Sequence, residues 1–207
     1  MKKPGLRVGS GKLKRVAIPG ARSHRGHQNS TSARVKEAAF QIIRNRIDTG
    51  ADWVFYDLYA GSGQMGIEAL SLGAAHATFV ELIPDRLSEI QRALAALDIP
   101  REQFTLTRAK AAKIFPEAFS ADLPPVVVWA DPPYTYGHSQ SNDAAMLVAL
   151  YRAAMREATG RAPLLMIQVH EKSSVLTDEF LAANADLEIY RYGSNCLAVL
   201  GNSSPAA

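Results

Sequence analysis

The sequence predicts an α/β fold, with a mostly parallel sheet covered by helices on both faces. From residue 53 onwards, short apolar runs alternate with segments of helical periodicity, which is typical of repeated β–α–β units. Such units join parallel strands through right-handed crossovers and so place helices on both faces of the sheet. The last two apolar runs, at 186–193 and 195–201, are almost contiguous, so they predict an antiparallel hairpin at the C-terminus.

Residues 1–32 are predicted to form a basic hairpin and arm that precedes the main domain. LRVGSGKLKRVAIP (6–19) indicates two short strands around a Gly-Ser-Gly turn, and 20–32 has the composition of a loop. A helix is expected at 34–47, because Ser30, Thr31 and Ser32 precede it and are good caps. Its predicted apolar face consists of Val35, Ala38, Ala39, Ile42, Ile43 and Ile47.

The main domain is expected to span 33–201, followed by a frayed tail at 202–207. Its strands are predicted at 53–59, 76–82, 103–108, 125–130 and 163–170, before the C-terminal hairpin. Its helices are predicted at 63–72, at 85–97 with Pro84 near the first turn, and around 143–157. Ligands of such sheets bind beyond the carboxyl ends of the strands. Asp57 and Asp131 lie at or near two such ends, so we expect both on one rim of the sheet.

A glycine-rich loop follows the first strand of this domain. Residues 61–66, GSGQMG, match the G-x-G-x-x-G fingerprint of dinucleotide-binding folds, although any tight turn from strand to helix favours glycine. Asp57 would repel a pyrophosphate bound at this turn, whereas S-adenosylmethionine is a cation without phosphate and suits a strand-end carboxylate. Glu81, at the end of the next strand, could then accept both ribose hydroxyls. Alternatively, Asp57 caps the loop and Glu81 is only an exposed strand end.

The fourth strand ends in Asp131-Pro132-Pro133-Tyr134. The two prolines fix φ and lack N–H donors, so the strand must stop there and present a rigid acidic turn. This turn suits methylation of a planar conjugated amine, because Asp131 and the Pro132 carbonyl could accept its two N–H groups and aim the nitrogen lone pair at the methyl. Tyr134 offers a face on which a base can stack. The structural alternative is a Pro-Pro turn capped by Asp131.

Charge is unevenly distributed along the chain. The net charge is +3, but residues 1–50 hold 12 Lys and Arg against two acids, and the remainder is acidic. A basic arm on an acidic body is typical of a polyanion binder, although a solvated tail has the same composition. The candidate RNA-binding residues are Lys2, Lys3, Arg7, Lys12, Lys14, Arg15, Arg22 and Arg25.

Cysteine and histidine usage predicts neither a disulfide nor a metal site. Cys196 is the only cysteine, and the five histidines show no metal-ligand spacing. The apolar runs are too short for a membrane span, and no apolar run follows the basic N-terminus as in a signal peptide. We therefore expect a cytoplasmic protein without metal or membrane partner. The sequence does not determine the oligomeric state, for which a monomer is favoured.

Several motifs together resemble a known group of enzymes. DLYAGSGQMGIEAL, FVEL and ADPPY, in this order and spacing, look like class I S-adenosylmethionine-dependent N-methyltransferases. LRVGSGKLKRVAIP, TSARVKEAAFQII and YRYGSNCLAVL extend the similarity, over nearly the whole chain, to the RsmD-like bacterial 16S ribosomal RNA guanine-N2 methyltransferases. The resemblance implies a Rossmann-like fold with a seven-stranded sheet, S-adenosylmethionine as cofactor and ribosomal RNA or the small ribosomal subunit as partner.

The resemblance also implies roles for single residues. Residues 131–134 become the catalytic turn, Glu81 the ribose ligand, and Thr31 and Lys36 part of the segment that covers the donor's carboxylate. The methionine side of the donor pocket is then formed by Asp57, Tyr59, Ala60, Gly61, Ser62 and Gly63. Two positions depart from the family pattern: Asn29-Ser30 replaces the usual Arg-Pro, and Lys110 stands near the place of an acid beside the adenine.

The predicted function is therefore methyl transfer to the N2 amine of a guanine in small-subunit ribosomal RNA. Other acceptors with a planar amine are adenine N6 in DNA and a glutamine amide in a protein, although a protein substrate does not require the basic arm. A third hypothesis is a non-catalytic RNA-binding protein that retains the fold, with Lys110 as a sign of decay. A nicotinamide dehydrogenase is disfavoured, because hydride transfer does not explain the Asp-Pro-Pro-Tyr turn.

Overall fold

The computed structural model describes residues 6–19, 31–114, 124–133, 143–157 and 162–201, which form an α/β domain around one sheet. The strands are β1 (Val54–Asp57), β2 (His76–Val80), β3 (Phe104–Thr107), β4 (Val126–Ala130), β5 (Leu164–His170), β6 (Glu188–Tyr192) and β7 (Asn195–Leu200). Their order is β3-β2-β1-β4-β5-β7-β6. The first five strands in this order pair in parallel, while β7 is antiparallel to both β5 and β6. The predicted mostly parallel sheet with a C-terminal antiparallel hairpin is confirmed.

Helices cover both faces of the sheet. They are α1 (Ala33–Arg46), α2 (Gln64–Ser71), α3 (Pro84–Ala96), α4 (Ala111–Ile114), α5 (Asp143–Glu157) and α6 (Asp178–Ala183). Apolar side chains of α1, α2 and α3 join one core cluster, and those of α4, α5 and α6 join a second. The longer helices match the sequence prediction, whereas α4, α6 and the 3₁₀ turns Arg101–Gln103 and Ser174–Leu176 were not predicted.

The apolar run of β4 is explained by its position between these two clusters. Val127 and Trp129 contribute to the cluster with α1 to α3, while Val126, Val128 and Ala130 contribute to the opposite one. All five side chains are buried, because a central parallel strand has a helix layer on each face. The strand therefore carries no polar residue until the chain leaves the sheet at Asp131.

Helix α1 (Ala33–Arg46) begins and ends within one residue of the predicted range 34–47, and Ser32 is its N-cap. The Ser32 hydroxyl accepts a hydrogen bond from the Val35 N–H at 3.2 Å, which satisfies one of the unpaired donors of the first turn. Of the predicted apolar face, Ala38 is half-buried and the other five residues are buried. Lys36 and Phe40 are buried as well, and the periodicity did not identify either of them.

Residues 6–19 form a backbone hairpin that packs on the main domain. Val8 N–H donates to the Val16 carbonyl at 3.0 Å and Arg15 N–H donates to the Val8 carbonyl at 2.8 Å. The pairing is a single bridge between Arg7 and Ala17 rather than two regular strands. Val8 and Ile18 are buried in the cluster formed by α1 to α3, so the hairpin shares its core with the domain predicted to begin at residue 33. The predicted loop lies outside the described residues at 20–30, as does the tail at 202–207.

In the part of the chain that the structure describes, every helix is too short or too polar to cross a lipid bilayer.

Candidate functional site

Three acidic residues meet at the carboxyl edge of the sheet. Asp57 is the last residue of β1, Glu81 directly follows β2, and Asp131 directly follows β4. Because β1 lies between β2 and β4, with Asp57 in register with Phe79 and Trp129, the three acids occupy neighbouring strand ends. The expectation that Asp57 and Asp131 share one rim is met, although they are far apart in sequence.

Asp57 is enclosed by the start of α2. The residue is 1% exposed, and its Oδ2 accepts a hydrogen bond from the Gly66 N–H at 3.1 Å. Burial raises the pKa of this carboxyl to about 7; the Gly66 hydrogen bond opposes this rise, and the charge of Glu81 adds to it. A nearby cation would favour the ionised form, so this side chain is suited to a positively charged ligand.

Asp131 has fewer partners than Asp57. Its Oδ2 lies 3.5 Å from the Thr31 hydroxyl, at the limit of a hydrogen bond, and its Oδ1 is buried with no donor among the described residues. Burial raises the pKa of Asp131 to about 7; the charge of Asp57 raises it further, and the Thr31 hydroxyl lowers it. A buried acceptor without a donor is uncommon in folded proteins and indicates a place for a ligand group.

The glycine loop is held tightly between β2 and α3. Gly63 has a φ of +73°, in the left-handed region, and its N–H donates to the Ala60 carbonyl at 2.7 Å. A Cβ on Gly66 would lie 2.2 Å from Cε1 of Phe79, so α2 can approach β2 only with glycine there. The left-handed backbone of Gly63 and the packing of Gly66 thus account for two of the three glycines of the fingerprint, which explains why the motif alone does not identify its ligand.

Glu81 fixes this loop in place. Its Oε1 accepts from the Leu82 and Ile83 N–H groups at 2.8 and 3.0 Å, and its Oε2 accepts from the Gly61 N–H at 3.0 Å. Arg86 Nη1 lies 3.5 Å from Oε2. A carboxylate has about four lone-pair sites, and these four contacts occupy them. A ribose hydroxyl would therefore bind Glu81 in place of a present donor, of which Arg86 at 3.5 Å is the most distant, and the role of Glu81 as the ribose ligand stays a prediction.

Lys36 belongs to a buried ion pair. Its Nζ lies 2.7 Å from Oε2 of Glu68 in α2 and donates to the Arg7 carbonyl at 3.1 Å. Glu68 also accepts from the Gly9 N–H at 2.8 Å and from the Ser10 hydroxyl. The side chain therefore joins α1, α2 and the hairpin, and its role toward a donor carboxylate stays a prediction. Glu68 was missed in the sequence, where the one signal was an acid within an apolar helical run.

Tyr59 connects the loop after β1 with the start of α5. Its hydroxyl donates to Oδ2 of Asp143 at 3.0 Å, and its pKa is raised, chiefly by burial and also by the Asp143 charge. Ala60 N–H donates to the Val80 carbonyl at 3.0 Å, which anchors the loop to β2. Ser62 is half-buried. Residues 59–63 thus lie together beside Asp57 and Glu81, and their contact with a donor stays a prediction.

Some of the remaining predicted site residues lie within the described ranges and others lie outside them. Pro132 is buried and Pro133 is exposed, whereas Tyr134 lies outside the described residues. The exposed basic residues of the hairpin are Arg7, Lys12, Lys14 and Arg15; Lys2, Lys3, Arg22 and Arg25 lie outside the described residues. Lys110 is exposed just beyond β3. Within the described ranges, no cluster of three or more His, Cys, Asp or Glu side chains could hold a metal ion.

Comparison with known proteins identifies the family. The model of the family called Conserved hypothetical protein 95 matches residues 6–177. The chain belongs to this family. It is the RsmD-like family that the motifs of the sequence resembled.

Individual members and structures are similar to the chain over different lengths. The candidate rRNA methyltransferase YlbH of Bacillus subtilis is 32% identical over 104 residues, which is 50% of this chain and 54% of YlbH. The alignment thus spans about half the length of that curated relative. The candidate methyltransferase YhhF from Escherichia coli superposes with a TM-score of 0.62 and 20% identity, covering 97% of this chain and 99% of that one.

A more distant structure has been solved with a product of the methyl donor. The N-terminal domain of human METTL16, in complex with S-adenosylhomocysteine (SAH), superposes with a TM-score of 0.55 and 10% identity, covering 80% of this chain and 67% of that one. At such low identity, these similarities show the fold alone, which is the Rossmann-like fold of class I methyltransferases.

The negative charge of the candidate site suits the positive charge of S-adenosylmethionine. Of the three acids, only Glu81 forms an ion pair with a described residue, which is Arg86. Asp57 and Asp131 have pKa values raised to about 7 by burial and by neighbouring acids. A ligand with a sulfonium and an ammonium would relieve this repulsion, whereas a pyrophosphate would add to it.

Proposed function

We propose that the protein transfers a methyl group from S-adenosylmethionine to the exocyclic N2 amine of a guanine in small-subunit ribosomal RNA. The observation that carries this proposal is the buried Oδ1 of Asp131, which has no donor in the described part of the chain and directly precedes a rigid Pro-Pro turn. An amine N–H of the methyl acceptor would supply the donor that this oxygen lacks in the described structure. In the described part of the chain, neither the packing of β4 nor the cap of a helix uses this carboxylate.

The donor is expected on the side of Asp57, Glu81 and the loop 59–63. S-adenosylmethionine, when bound, supplies an electrophilic methyl on a positively charged sulfur. Asp57 offers negative charge beside the glycine loop, and a ribose hydroxyl would replace Arg86 as the second donor to Oε2 of Glu81. Leu82 and Ile83 expose 52% and 43% of their surface directly after Glu81, where apolar side chains could pack against a flat base. Positioning of this kind carries much of the rate of a bimolecular transfer.

The acceptor is expected on the side of Asp131. Its carboxylate and the Pro132 carbonyl would each accept one N–H of the amine and turn the nitrogen lone pair toward the methyl group. In the reaction a nitrogen–carbon bond forms while the sulfur–carbon bond breaks, and the nitrogen then loses a proton. With a pKa of about 7, Asp131 can take that proton near neutral pH.

The choice of ribosomal RNA as substrate rests on charge and on the relative YlbH. The hairpin presents four exposed basic residues, which suit a phosphate backbone without reading sequence. YlbH carries the name of an rRNA methyltransferase. A guanine within RNA must leave its stack to reach an amine acceptor at a strand end.

The test is transfer of a radiolabelled methyl group from S-adenosylmethionine to four separate acceptors. These are unmethylated small-subunit particles, naked small-subunit RNA, duplex DNA and a protein lysate. We expect label in the particles or the RNA, recovered as N2-methylguanosine by nucleoside analysis. Label in N6-methyladenine or in protein would overturn the proposed acceptor and retain the chemistry, and no transfer together with no donor binding would leave an RNA-binding protein.

A further inference from the structure

Gln168 of β5 stands next to Asp131 at the carboxyl edge of the sheet. Ala130, the last residue of β4, pairs with Ile167 of β5, so the next residues along the two segments are Asp131, directly after β4, and Gln168 of β5. Side chains alternate between the faces of a sheet, and Trp129 and Met166 both belong to the cluster with α1 to α3. Two residues further on, Asp131 and Gln168 therefore face the same side, and neighbouring strands are only about 4.8 Å apart.

The two side chains share an unusual property. Gln168 is 4% exposed, and its Oε1 has no hydrogen-bond donor within the described residues. Oδ1 of Asp131 is buried and without a donor in the same way. Two such acceptors at adjacent positions on one face, one just after β4 and one within β5, indicate a ligand that brings two donors side by side.

Guanine has this arrangement of groups on its Watson–Crick edge. The N2 amine lies beside the N1–H donor, and the O6 acceptor follows. If Asp131 accepts from the amine, a carboxamide beside it can accept from N1–H and donate to O6. Adenine has an acceptor at N1 beside its amine, so it would leave Oε1 of Gln168 without a donor. A protein glutamine amide has no second donor at that position.

We propose that Gln168 reads the N1–H and O6 edge of the target base and so sets the preference for guanine. This inference rests on the proposed function, because it assumes that the amine bound by Asp131 belongs to a nucleobase. Gln168 is thereby a specificity-determining residue, distinct from Asp131, which contacts the reacting nitrogen. The opposing explanation is a glutamine that merely fills space beneath α1, which contacts β5 and β7.

The test compares guanine with 2-aminopurine at the methylated nucleotide, once labelled-methyl transfer has mapped it. 2-Aminopurine keeps the 2-amine but lacks both N1–H and O6. We expect the wild type to prefer guanine in kcat/KM by about tenfold or more, since one missing hydrogen-bond partner has an effect of that order. Gln168→Met has similar length and no carboxamide, so it should lower kcat/KM for guanine about tenfold and leave 2-aminopurine nearly unchanged.

Gln103 provides a matched control. Its Oε1 is also buried without a donor in the described part of the chain, but it precedes β3 at the opposite edge of the sheet. Gln103→Met makes the same chemical change away from the candidate site and should retain the wild-type ratio of guanine to 2-aminopurine. A ratio lowered equally by both variants would overturn the inference.

Further outcomes separate this inference from the proposed function. Suppose that the wild type forms N2-methylguanosine, but Gln168→Met lowers kcat/KM for guanine and 2-aminopurine alike, or for neither. The inference then fails and the proposed function stands. If the wild type forms no N2-methylguanosine, both fail. Donor binding reports on folding: if Gln168→Met and the shorter Gln168→Asn both lose it, the residue is structural and the inference is overturned. If Gln168→Asn binds donor and loses activity on guanine alone, the inference is supported.

Discussion

Two carboxylates near α1, each with a buried oxygen atom, differ in the number of their hydrogen-bond partners. Glu68 of α2 accepts from Lys36, from the Gly9 N–H and from the Ser10 hydroxyl. Asp131 has one long contact with Thr31, and one of its oxygens has no donor in the described ranges. Burial alone therefore does not distinguish a structural acid from a functional one. The unused hydrogen-bonding capacity does: the described contacts satisfy Glu68, whereas they leave one oxygen of Asp131 without a donor.

The largest effect is expected for Asp131→Ala. Methyl transfer should fall about 10²–10⁴-fold, because the acceptor of the amine proton is removed. Folding and donor binding should change little, since the carboxylate has a single weak partner in the described part of the protein. Single-turnover methyl transfer, donor titration and thermal unfolding of the same preparation measure these quantities. Full residual activity would rule out the role proposed for this side chain.

For Glu68→Leu, the main loss is expected in stability rather than in the chemical step. The free energy of unfolding should fall by about 3–5 kcal/mol, because Lys36 would stay buried without its counter-charge. The double variant Glu68→Leu/Lys36→Met removes both charges and should recover much of this loss. Urea unfolding of the two variants and the wild type measures the difference. If Glu68→Leu costs less than about 1 kcal/mol, the ion pair is not the element that holds the hairpin and α1 to α2.

An effect on stability that is graded with pH, and smaller for each pH unit, is expected at Asp57. Its pKa in the folded state is about 7, above the value of an exposed aspartate, so the folded state binds the proton more tightly than the unfolded chain. Stability should therefore fall as pH rises from about 4 to 7, by at most about 1.4 kcal/mol per pH unit from this group. Asp57→Asn should flatten this dependence in urea unfolding at pH 5, 6, 7 and 8.

Binding of the donor should show the reverse dependence on pH. A cation favours the ionised acids, so affinity for S-adenosylmethionine should increase as pH rises through 7. S-adenosylhomocysteine lacks the sulfonium charge and is expected to show a weaker trend, which makes it the control ligand. Equal pH slopes for wild type and Asp57→Asn would contradict the account of this side chain.

The smallest effect on stability is expected when charges are removed from the hairpin at residues 6–19, which Glu68 anchors. Lys12→Gln/Lys14→Gln removes two exposed charges, so it should change the stability by no more than about 0.5 kcal/mol. It should lower the salt dependence of RNA binding by up to about two in the slope of log K against log salt. Filter binding of small-subunit RNA between low and moderate salt measures the slope. An unchanged slope would show that these lysines do not contact phosphate.

Local sequence signals predicted most of the fold. Periodicity and caps located α1, and the alternation of runs located the sheet, because these signals arise from residues a few positions apart. Helices α4 and α6 are too short to show a periodic face, since they have four and six residues. The strand-end acids Asp57 and Asp131 were predictable because parallel topology places every carboxyl end on one edge.

Side-chain partners were not predictable in the same way. Glu68 and Lys36 meet across 32 positions, and Gly9 meets Glu68 across 59, so no local pattern records these contacts. Gln168 was overlooked because a glutamine within an apolar strand does not reveal which face it occupies or what it lacks. Only the register of β4 and β5 places it beside Asp131.

Helix α1 also has a consequence for the timing of synthesis. Arg46 at its C-terminal end hydrogen bonds Glu188 and Tyr190 of β6, which follow 142 and 144 positions later in the chain. At a translation rate of about 5–20 residues per second, α1 would wait roughly 7–30 s before these partners emerge from the ribosome. Lys36 belongs to this helix, and Thr31 directly precedes its N-cap residue Ser32. Helix α1 therefore gains its contacts with β6 only after most of the described chain, including all five parallel strands, has been made.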